Sequence, residues 1–568
     1  MTNNYPKKIV ECVPNFSEGR VTSVVSAIAQ SIIDVAGVRL LGVEPDKDYN
    51  RSVVTFIGEP DAVIEAAFRA TKMAALRIDM SKHKGKHPRI GATDVVPFIP
   101  IAGVSMEDCI EYSRHYAKRV AEELKIPVYL YEAAASSPER KNLSDIRKGE
   151  YEGLPAKLRD PKWKPDFGPA KFNSKTGALA VGARNFLVAY NINLNTTSTR
   201  RANAIAFDIR ERGRVKRKGD ALTGEIIQDE KGQPVFEPGS LKSVKAIGWY
   251  IKEYDIAQIS INLTDITVTP IHIAFDEACK HAEERGVRVT GSELVGLVPL
   301  RAMLEAGKYF LKKQQRSSGV SDRELIKIAI KSLGLNDLYE FKPGEKIIEY
   351  MLNDPNEKKL VNLSAADLMH ETASESPAPG GGSVSAYIGS LGTALGTMVA
   401  NLSAHKKGWD DRWEEFSDWA AKGKEYQEEL LHLVDEDTKA FNELMEACRI
   451  PKLNEEKNNE REKTIMEATR HAILVPFRVM QVTHDALGVI RAIAEIGNPN
   501  SVSDAGVGAL AIRAAVMGAH LNVKINIQGL KDNKFTDKIL KETTRIEKDT
   551  IAVVDMILEM VNSKIKEL

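Results

Sequence analysis

Charge of one sign is missing from this chain: 79 basic residues stand against 79 acidic ones among 568. Nothing global therefore favours nucleic acid or an anionic membrane as a partner. Cysteine is scarce as well. Cys12, Cys109, Cys279 and Cys448 lie far apart and form no Cys-x-x-Cys pair. That spacing argues against a zinc site, and no other metal is implied; it also argues against a secreted disulfide framework. The opening Met-Thr-Asn-Asn-Tyr-Pro-Lys-Lys has no apolar signal core, and no apolar run reads as long enough to cross a bilayer. A reducing cytoplasm is the expected location. At this length one hydrophobic core does not suffice, so several domains are expected.

The first part alternates two periodicities. Residues 8–13, 38–43, 52–57, 95–101 and 127–131 read as strands; 21–35, 61–78 and 106–124 read as helices, with Asp61 as an N-cap candidate. A second α/β unit starts near Gly182, with strands at 186–194, 246–253, 257–263 and 287–292 and helices at 198–212, 270–285 and 300–311. The two units share a rhythm but no sequence repeat. The basic run 210–218 lacks interleaved aromatics and reads as a solvated surface loop. Residues 228–233 read as a hairpin turn. Asn353-Asp-Pro-Asn-Glu-Lys-Lys359 is polar, contains a helix breaker and is the linker candidate. Beyond it the pattern is helical: 385–402, 413–445, 455–496, 505–519 and 532–566. The expected architecture is multidomain, an N-terminal pair of α/β sandwich subdomains followed by an all-α helical bundle. The glycines of 389–396 point to close helix approach.

Within the first unit, Ser81-Lys-His-Lys-Gly-Lys-His-Pro-Arg-Ile-Gly-Ala-Thr-Asp94 carries the most chemistry. Histidine moves protons near neutral pH more readily than other side chains. Pro88 pushes His87 toward extended backbone, on a loop. Gly85 and Gly91 let backbone approach a ligand. Arg89 offers a fork for a carboxylate. Read from the residues alone, a solvated basic loop accounts for the same segment.

The loop resembles the active-site segment of glutamate formimidoyltransferases. Val10-Glu-Cys-Val-Pro-Asn-Phe-Ser-Glu-Gly19, Trp163-Lys-Pro-Asp-Phe-Gly-Pro169, Gly182-Ala-Arg-Asn-Phe186, Ile247-Gly-Trp-Tyr250 and Val295-Gly-Leu-Val-Pro-Leu300 agree with it. Ala378-Pro-Gly-Gly-Gly-Ser-Val384 and Leu433-Val-Asp-Glu-Asp-Thr-Lys-Ala-Phe441 look like the cyclodeaminase domain fused to that transferase in the bifunctional family. The resemblance implies transferase subdomains at 1–181 and 182–352, a linker at 353–360 and a cyclodeaminase domain at 361–568. It implies transfer of a formimino group from N-formimino-glutamate to N5 of tetrahydrofolate, then ring closure to the 5,10-methenyl form with loss of ammonia. Tetrahydrofolate, with or without a polyglutamate tail, is the carrier. A homo-oligomer is implied, with neither nucleic acid nor membrane as partner.

Carried over residue by residue, the resemblance makes His87 the transferase base, with His83 as its competitor. Lys86 stands where the family commonly has an acid, and Glu44 where it often has Asp. Arg51 and Arg89 are candidates for the substrate carboxylates, or for structural ion pairs. Gly168, Pro169, Ala170, Lys171, Phe172, Asn173, Ser174, Lys175, Thr176 and Gly177 match the folate-binding stretch. This stretch reads as a linker between subdomains, with Phe172 able to stack on a ring. Asp437 matches the cyclodeaminase aspartate. Asp435 and Glu436 are expected to crowd it and raise its pKa. The amides of Pro379-Gly-Gly-Gly-Ser383 could hold an anion or simply cap a helix. Asp504, Asn522 and Asn526 are further pocket candidates. Two other readings stay open: a methenyltetrahydrofolate cyclohydrolase in the second half, or a silent folate-binding scaffold. The connection at 213–240 reads as a surface elaboration.

Overall fold

The structure, a computed structural model, describes residues 8–85, 87–219, 224–351, 359–451, 455–530 and 532–567. Lys86 and nearly all of the expected linker lie outside them.

The first subdomain runs β1 (Ile9–Cys12), β2 (Asn15–Phe16), α1 (Thr22–Ile33), β3 (Val38–Asp46), β4 (Arg51–Gly58), α2 (Pro60–Arg77), β5 (Thr93–Ala102), α3 (Met106–Leu124), β6 (Val128–Glu132), α4 (Leu143–Arg147), α5 (Glu150–Lys157) and β7 (Leu179–Ala183). Among the described residues the strands form one seven-stranded sheet, in which β3 is outermost on β4 and β1 and β2 both lie between β4 and β5. β7 joins β5 and β6 in parallel. Period two decides which face each side chain takes. On β4, Val54 and Phe56 enter the core beneath α1, α2 and α3, and Arg51, Val53 and Thr55 take the opposite face. The short helices α4 and α5 cover part of that opposite face, where Ile146 and Leu154 pack with Val95 and Tyr129. A capping box between Ser105 and Asp108 starts α3. In α2 the expected cap is displaced. Glu59 holds the N-cap position, Pro60 opens the helix, and Asp61 sits in the first turn, where its charge suits the helix dipole.

The second subdomain contains β8 (Val188–Leu194), α6 (Thr199–Ile209), β9 (Arg214–Val215), β10 (Phe236–Glu237), β11 (Val244–Ile251), β12 (Ile256–Leu263), α7 (Ile271–Glu283) and β13 (Val289–Val295). The order β11–β12–β8–β13 is antiparallel throughout. The expected turn at 228–233 forms, with the Asp229 amide donating to the Gln233 carbonyl at 2.8 Å. The basic run is less solvated than expected: Arg214 is paired with Asp208, and Arg217 donates to the Gly224 carbonyl at 2.7 Å.

Two expected boundaries move. A cut between 181 and 182 would divide β7, which belongs to the first sheet because both its neighbours pair with it. After α8 (Leu300–Lys313) come α9 (Asp322–Leu333), α10 (Pro343–Lys346) and α11 (Ile348–Met351), and the segment Met303–Leu333 groups with the helical half of the chain. Within that half, Asn401 donates to the Gly319 carbonyl at 2.8 Å, and Lys424, largely buried, pairs with Asp322 at 2.5 Å.

The helical unit continues with α12 (Ala365–Thr372), absent from the expectation, α13 (Gly381–Ala404), α14 (Trp413–Arg449), α15 (Glu455–Ile496), α16 (Val502–Ile527) and α17 (Asn533–Glu567). The glycines act as expected. A Cβ on Gly392 of α13 would stand 2.8 Å from the Gly508 carbonyl of α16, so larger residues would force these antiparallel helices apart. Contrary to the sequence reading, 458–496 and 499–527 are long and apolar enough to cross a membrane. In their most apolar windows 61% and 50% of the residues are buried within the protein, as in core helices.

Candidate active sites

The His87 loop joins α2 to β5, an inner strand of the first sheet. It is fastened to the end of the 168–177 stretch: the Met80 amide donates to the Lys175 carbonyl at 2.9 Å, Ala92 to Thr176 at 2.8 Å, and Ala178 to Ile90 at 2.9 Å. The two loop glycines sit tight against neighbouring backbone. A Cβ on Gly85 would be 2.3 Å from the Tyr49 carbonyl, and one on Gly91 would be 2.0 Å from that of Ala178. Their close approach is to the chain's own backbone, where a ligand was expected.

The His87 ring is half-buried, with Nδ1 2.7 Å from the Pro88 carbonyl oxygen. A carbonyl only accepts, so this bond places the proton on Nδ1 and leaves the Nε2 lone pair free. Burial, then the guanidiniums of Arg51 and Arg147, hold the imidazole below its ordinary pKa; the Pro88 carbonyl and Asp94 oppose them. The result is a neutral base beside two cations. His83 is differently placed. Its Nε2 donates to the Asn50 carbonyl at 2.9 Å, and its Nδ1 accepts from Arg89 Nε at 3.3 Å. Both nitrogens are engaged, so His83, the competing candidate for the base, is a half-buried strut of the loop.

The two arginine candidates separate. Arg89 is buried and ion-paired to Glu150 and Glu152, each at 2.6 Å. Its fork is filled by α5. Arg51 stays on the open sheet face with His87, braced by two bonds to the Asn15 side chain. Glu44 and Asp46 lie near enough to act on its charge. The cation partnering Arg51 is Arg147, which the sequence reading did not single out. Its Nη2 meets Asp94 at 2.5 Å, and Asp94 also accepts the Ile90 amide at 2.8 Å. Arg147 Nε is buried with no hydrogen-bond partner. Asp94 is buried, and a buried carboxylate demands a cation, but nothing in the sequence reading marked it as buried. Farther along the same face lies buried Glu11, raised by desolvation to about 7 despite nearby Arg184.

The 168–177 stretch does not link subdomains, because β7 follows it back into the first sheet. Gly168, Pro169, Ala170, Lys171, Ser174 and Lys175 are exposed. Phe172 tilts against Tyr151 with ring centroids 5.4 Å apart, so one face of its ring is partly used within the fold. Asn173 accepts the amides of Lys175 and Thr176, and Thr176 and Gly177 are buried.

In the helical unit, α13 begins within the Gly-Gly-Gly stretch, with Gly380 as N-cap. Asp437 of α14 reaches that end. Its Oδ2 accepts Ser383 Oγ at 2.9 Å, and its carboxylate also takes the Ser383 amide. A Cβ on Gly382 would stand 2.1 Å from Asp437 Oδ1, so glycine there makes room for the carboxylate. Burial raises the Asp437 pKa, and the Ser383 bonds oppose it. The expected like-charge crowding is not the cause. Asp435 turns away to accept the Leu360 amide at 2.7 Å, and Glu436 approaches Lys439 at 3.5 Å. Asn522 of α16 lies beside Gly381, with Nδ2 3.1 Å from where a Cβ would stand. Asn526 instead donates to the Ala472 carbonyl, a helix-packing bond. Asp504 lies 18 residues before Asn522 on α16, about 27 Å along it, so it shares no pocket with Asp437.

Comparisons with known proteins match the chain in three consecutive segments. Residues 9–184 match the formiminotransferase domain, N-terminal subdomain; 189–353 match the formiminotransferase domain; 364–545 match formiminotransferase-cyclodeaminase. A formimidoyltransferase-cyclodeaminase of Dictyostelium discoideum is 40% identical over 560 residues, covering 98% of this chain and 99% of its own. A glutamate formimidoyltransferase of Thermoplasma acidophilum is 41% identical, covering 56% of this chain and 98% of its own. A methenyltetrahydrofolate cyclohydrolase of Methylorubrum extorquens is 34% identical over 193 residues, 34% of this chain and 93% of its own. With full-length identity of this order and all three domains in sequence, the chain belongs to the formimidoyltransferase-cyclodeaminase family.

Proposed function

We propose that His87, Arg51 and Arg147 carry the formimidoyl transfer and that Asp437 serves the ring closure. In the first step the N5 amine of tetrahydrofolate attacks the amidine carbon of N-formimino-glutamate. Its proton passes to His87 Nε2 as the tetrahedral intermediate forms, and the imidazolium returns a proton to the departing glutamate nitrogen. The products are glutamate and 5-formimidoyltetrahydrofolate. Arg51 and Arg147 supply charge for a substrate carboxylate, and the unpartnered Nε of Arg147 offers a donor for it. The folate tail runs along the exposed part of 168–177. The observation that carries this reading is one neutral imidazole with a free nitrogen beside two guanidiniums, one of them with an unfilled donor.

In the second step N10 attacks the formimidoyl carbon; the former imino nitrogen takes up the N10 proton and one more from the medium and departs as ammonia, leaving the methenyl bridge as a cation. The product is the 5,10-methenyl form. A carboxyl with a raised pKa at the opening of α13 suits both proton transfers. The pathway implied is histidine breakdown, in the cytoplasm, by a homo-oligomer.

A coupled assay tests the assignment. Formimino-glutamate and tetrahydrofolate are supplied to the full chain, and methenyl absorbance and ammonia are followed together. Equal yields of both support the reading. Glutamate release without ammonia would leave transfer intact and turn the second half toward the cyclohydrolase activity of its Methylorubrum relative.

A further inference from the structure

One short segment grips the His87 loop at both ends. At one end Arg147, the last residue of α4, pairs with Asp94 at 2.5 Å. At the other, Glu150 and Glu152 in the first turn of α5 pair with Arg89, each at 2.6 Å. Glu152 is bidentate, with its second oxygen 2.9 Å from Arg89 Nη1. Such fork-to-fork pairs fix orientation as well as distance. Asp94 also accepts the Ile90 amide at 2.8 Å, so residues 90–94 close on themselves with an ionic anchor on each side.

Two features separate the Arg89 cluster from an ordinary surface ion pair. Its guanidinium is 8% exposed and meets two carboxylates, although one would balance its charge. The chain also passes through two consecutive left-handed residues, Gly149 with φ 87° and Glu150 with φ 54°. Glycine takes that conformation freely; glutamate does not. A residue is kept there only where its surroundings hold it, and Arg89 holds Glu150. The turn lies between Arg147 and the glutamates, so a hold on the glutamates is a hold on the Arg147 backbone. Arg147 itself bonds to Asp94, and its Nε is buried without a partner. One bond fixes a planar fork less firmly than the two that join Arg89 to Glu152.

We infer that Arg89, through Glu150 and Glu152, is a positioning residue for formimidoyl transfer: its clamp holds Arg147 at a set separation from His87, and so holds the substrate carboxylate against the proton acceptor. The same turn of helix reaches the 168–177 stretch. Tyr151, between the two glutamates, donates to the Ser174 carbonyl at 2.5 Å and lies against Phe172. Carboxylate site, base and folate stretch are thus all referred to the start of α5. The consequence is kinetic, because a misplacement of about 1 Å can cost on the order of a hundredfold in rate. The inference rests on the roles proposed for His87 and Arg147.

The test is Glu150→Gln with Glu152→Gln in the full chain, alone and combined with Arg147→Gln. Both glutamates are partly exposed, so the changes remove charge without opening a core. The pair should lower kcat for transfer about tenfold or more, with unchanged far-UV circular dichroism. In the Arg147→Gln background the same pair should cost less than about threefold, because a clamp that acts through Arg147 then has no guanidinium to place. The charged groups acting on the His87 imidazole are Arg51, Arg147 and Asp94. Releasing Arg147 takes a cation away, so the imidazole protonates more readily and the acid limb of kcat/KM should move to higher pH. Equal losses in both backgrounds with an unmoved limb would make Arg89 a structural residue only and overturn the clamp. So would transfer by the glutamine pair within about twofold of the parent. Should the pair unfold the protein, Glu152→Asp decides. It keeps the charge and shortens the reach by one methylene, and kcat should fall about threefold or more; an unchanged kcat overturns the clamp. Failure of the underlying reading shows separately, as His87→Ala and Arg147→Gln variants that transfer at the parent's rate. The clamp is then read without turnover, from the pH dependence of diethyl pyrocarbonate addition to His87, followed by mass spectrometry of its peptide. The midpoint should rise in the glutamine pair, and an unmoved midpoint overturns the placement of Arg147 beside His87.

Discussion

Arg147 reaches Asp94 at 2.5 Å through Nη2 and keeps its Nε buried and unpartnered. Arg147→Lys keeps a charge and loses the fork. The expected outcome in steady-state kinetics is a KM for formimino-glutamate raised about tenfold or more, with kcat changed less, since one charge-assisted bond carries on the order of 1.5–3 kcal/mol. An unchanged KM would remove Arg147 from the carboxylate site.

His87→Ala should lower transfer roughly a hundredfold or more. Ammonia release from supplied 5-formimidoyltetrahydrofolate should persist. His83→Ala removes the bonds to Asn50 and Arg89, so loop order and thermal stability should suffer more than the chemical step. Equal losses of kcat in both variants would undo the distinction drawn from their ring nitrogens.

The pH profile gives a separate test. The imidazole must be neutral to accept a proton, and burial with Arg51 and Arg147 lowers its pKa. Transfer should therefore stay active below the ordinary histidine pKa and fail only as pH drops through the depressed value. Arg51→Gln removes one of the cations, so the acid limb of kcat/KM should move toward higher pH. A limb that does not move would show that Arg51 is too far from His87 to act on it.

Asp437→Asn should leave consumption of formimino-glutamate intact while 5-formimidoyltetrahydrofolate accumulates. Asp435→Asn should matter less for ammonia release, because Asp435 caps the chain at Leu360. Gly382→Ala places a methyl group 2.1 Å from Asp437 Oδ1 and should displace the carboxylate, lowering ammonia release without touching a titratable group. Full ammonia release by Asp437→Asn would reduce that residue to a helix cap.

Glu11 gives a stability test away from the proposed chemistry. Burial raises its carboxyl from 4.5 to about 7, so the folded protein binds a proton there that the unfolded chain releases between those values. Stability from this group falls as pH rises through that window, by up to about 3 kcal/mol at 1.36 kcal/mol per unit. Glu11→Gln should raise the midpoint of thermal unfolding at pH 8 and change it little at pH 4.5. An equal effect at both pH values would mean that Glu11 does not titrate in this window.

By itself the sequence determined the element types and the identity of two residues, His87 and Asp437, that stand in the candidate sites. Period-two and period-3.6 patterns are local, so β4, α3 and α15 are readable from their own residues, and so is the α/β-then-helical order. The motifs around His87 and Asp437 are local in the same sense. Tertiary structure alone decided who stands beside them. Arg89 is withdrawn by Glu150 and Glu152, 61 and 63 residues away in the chain, and Arg147 is delivered to Asp94 across 53. The Asp437 shift arises from what packs over it, whereas its charged sequence neighbours point elsewhere along the helix. Met303–Leu333 joins the helical unit through Gly319 and Asp322, whose partners Asn401 and Lys424 lie 82 and 102 residues on. Burial and ion pairing depend on through-space distances that only the packed chain sets, and no periodicity along the sequence encodes them.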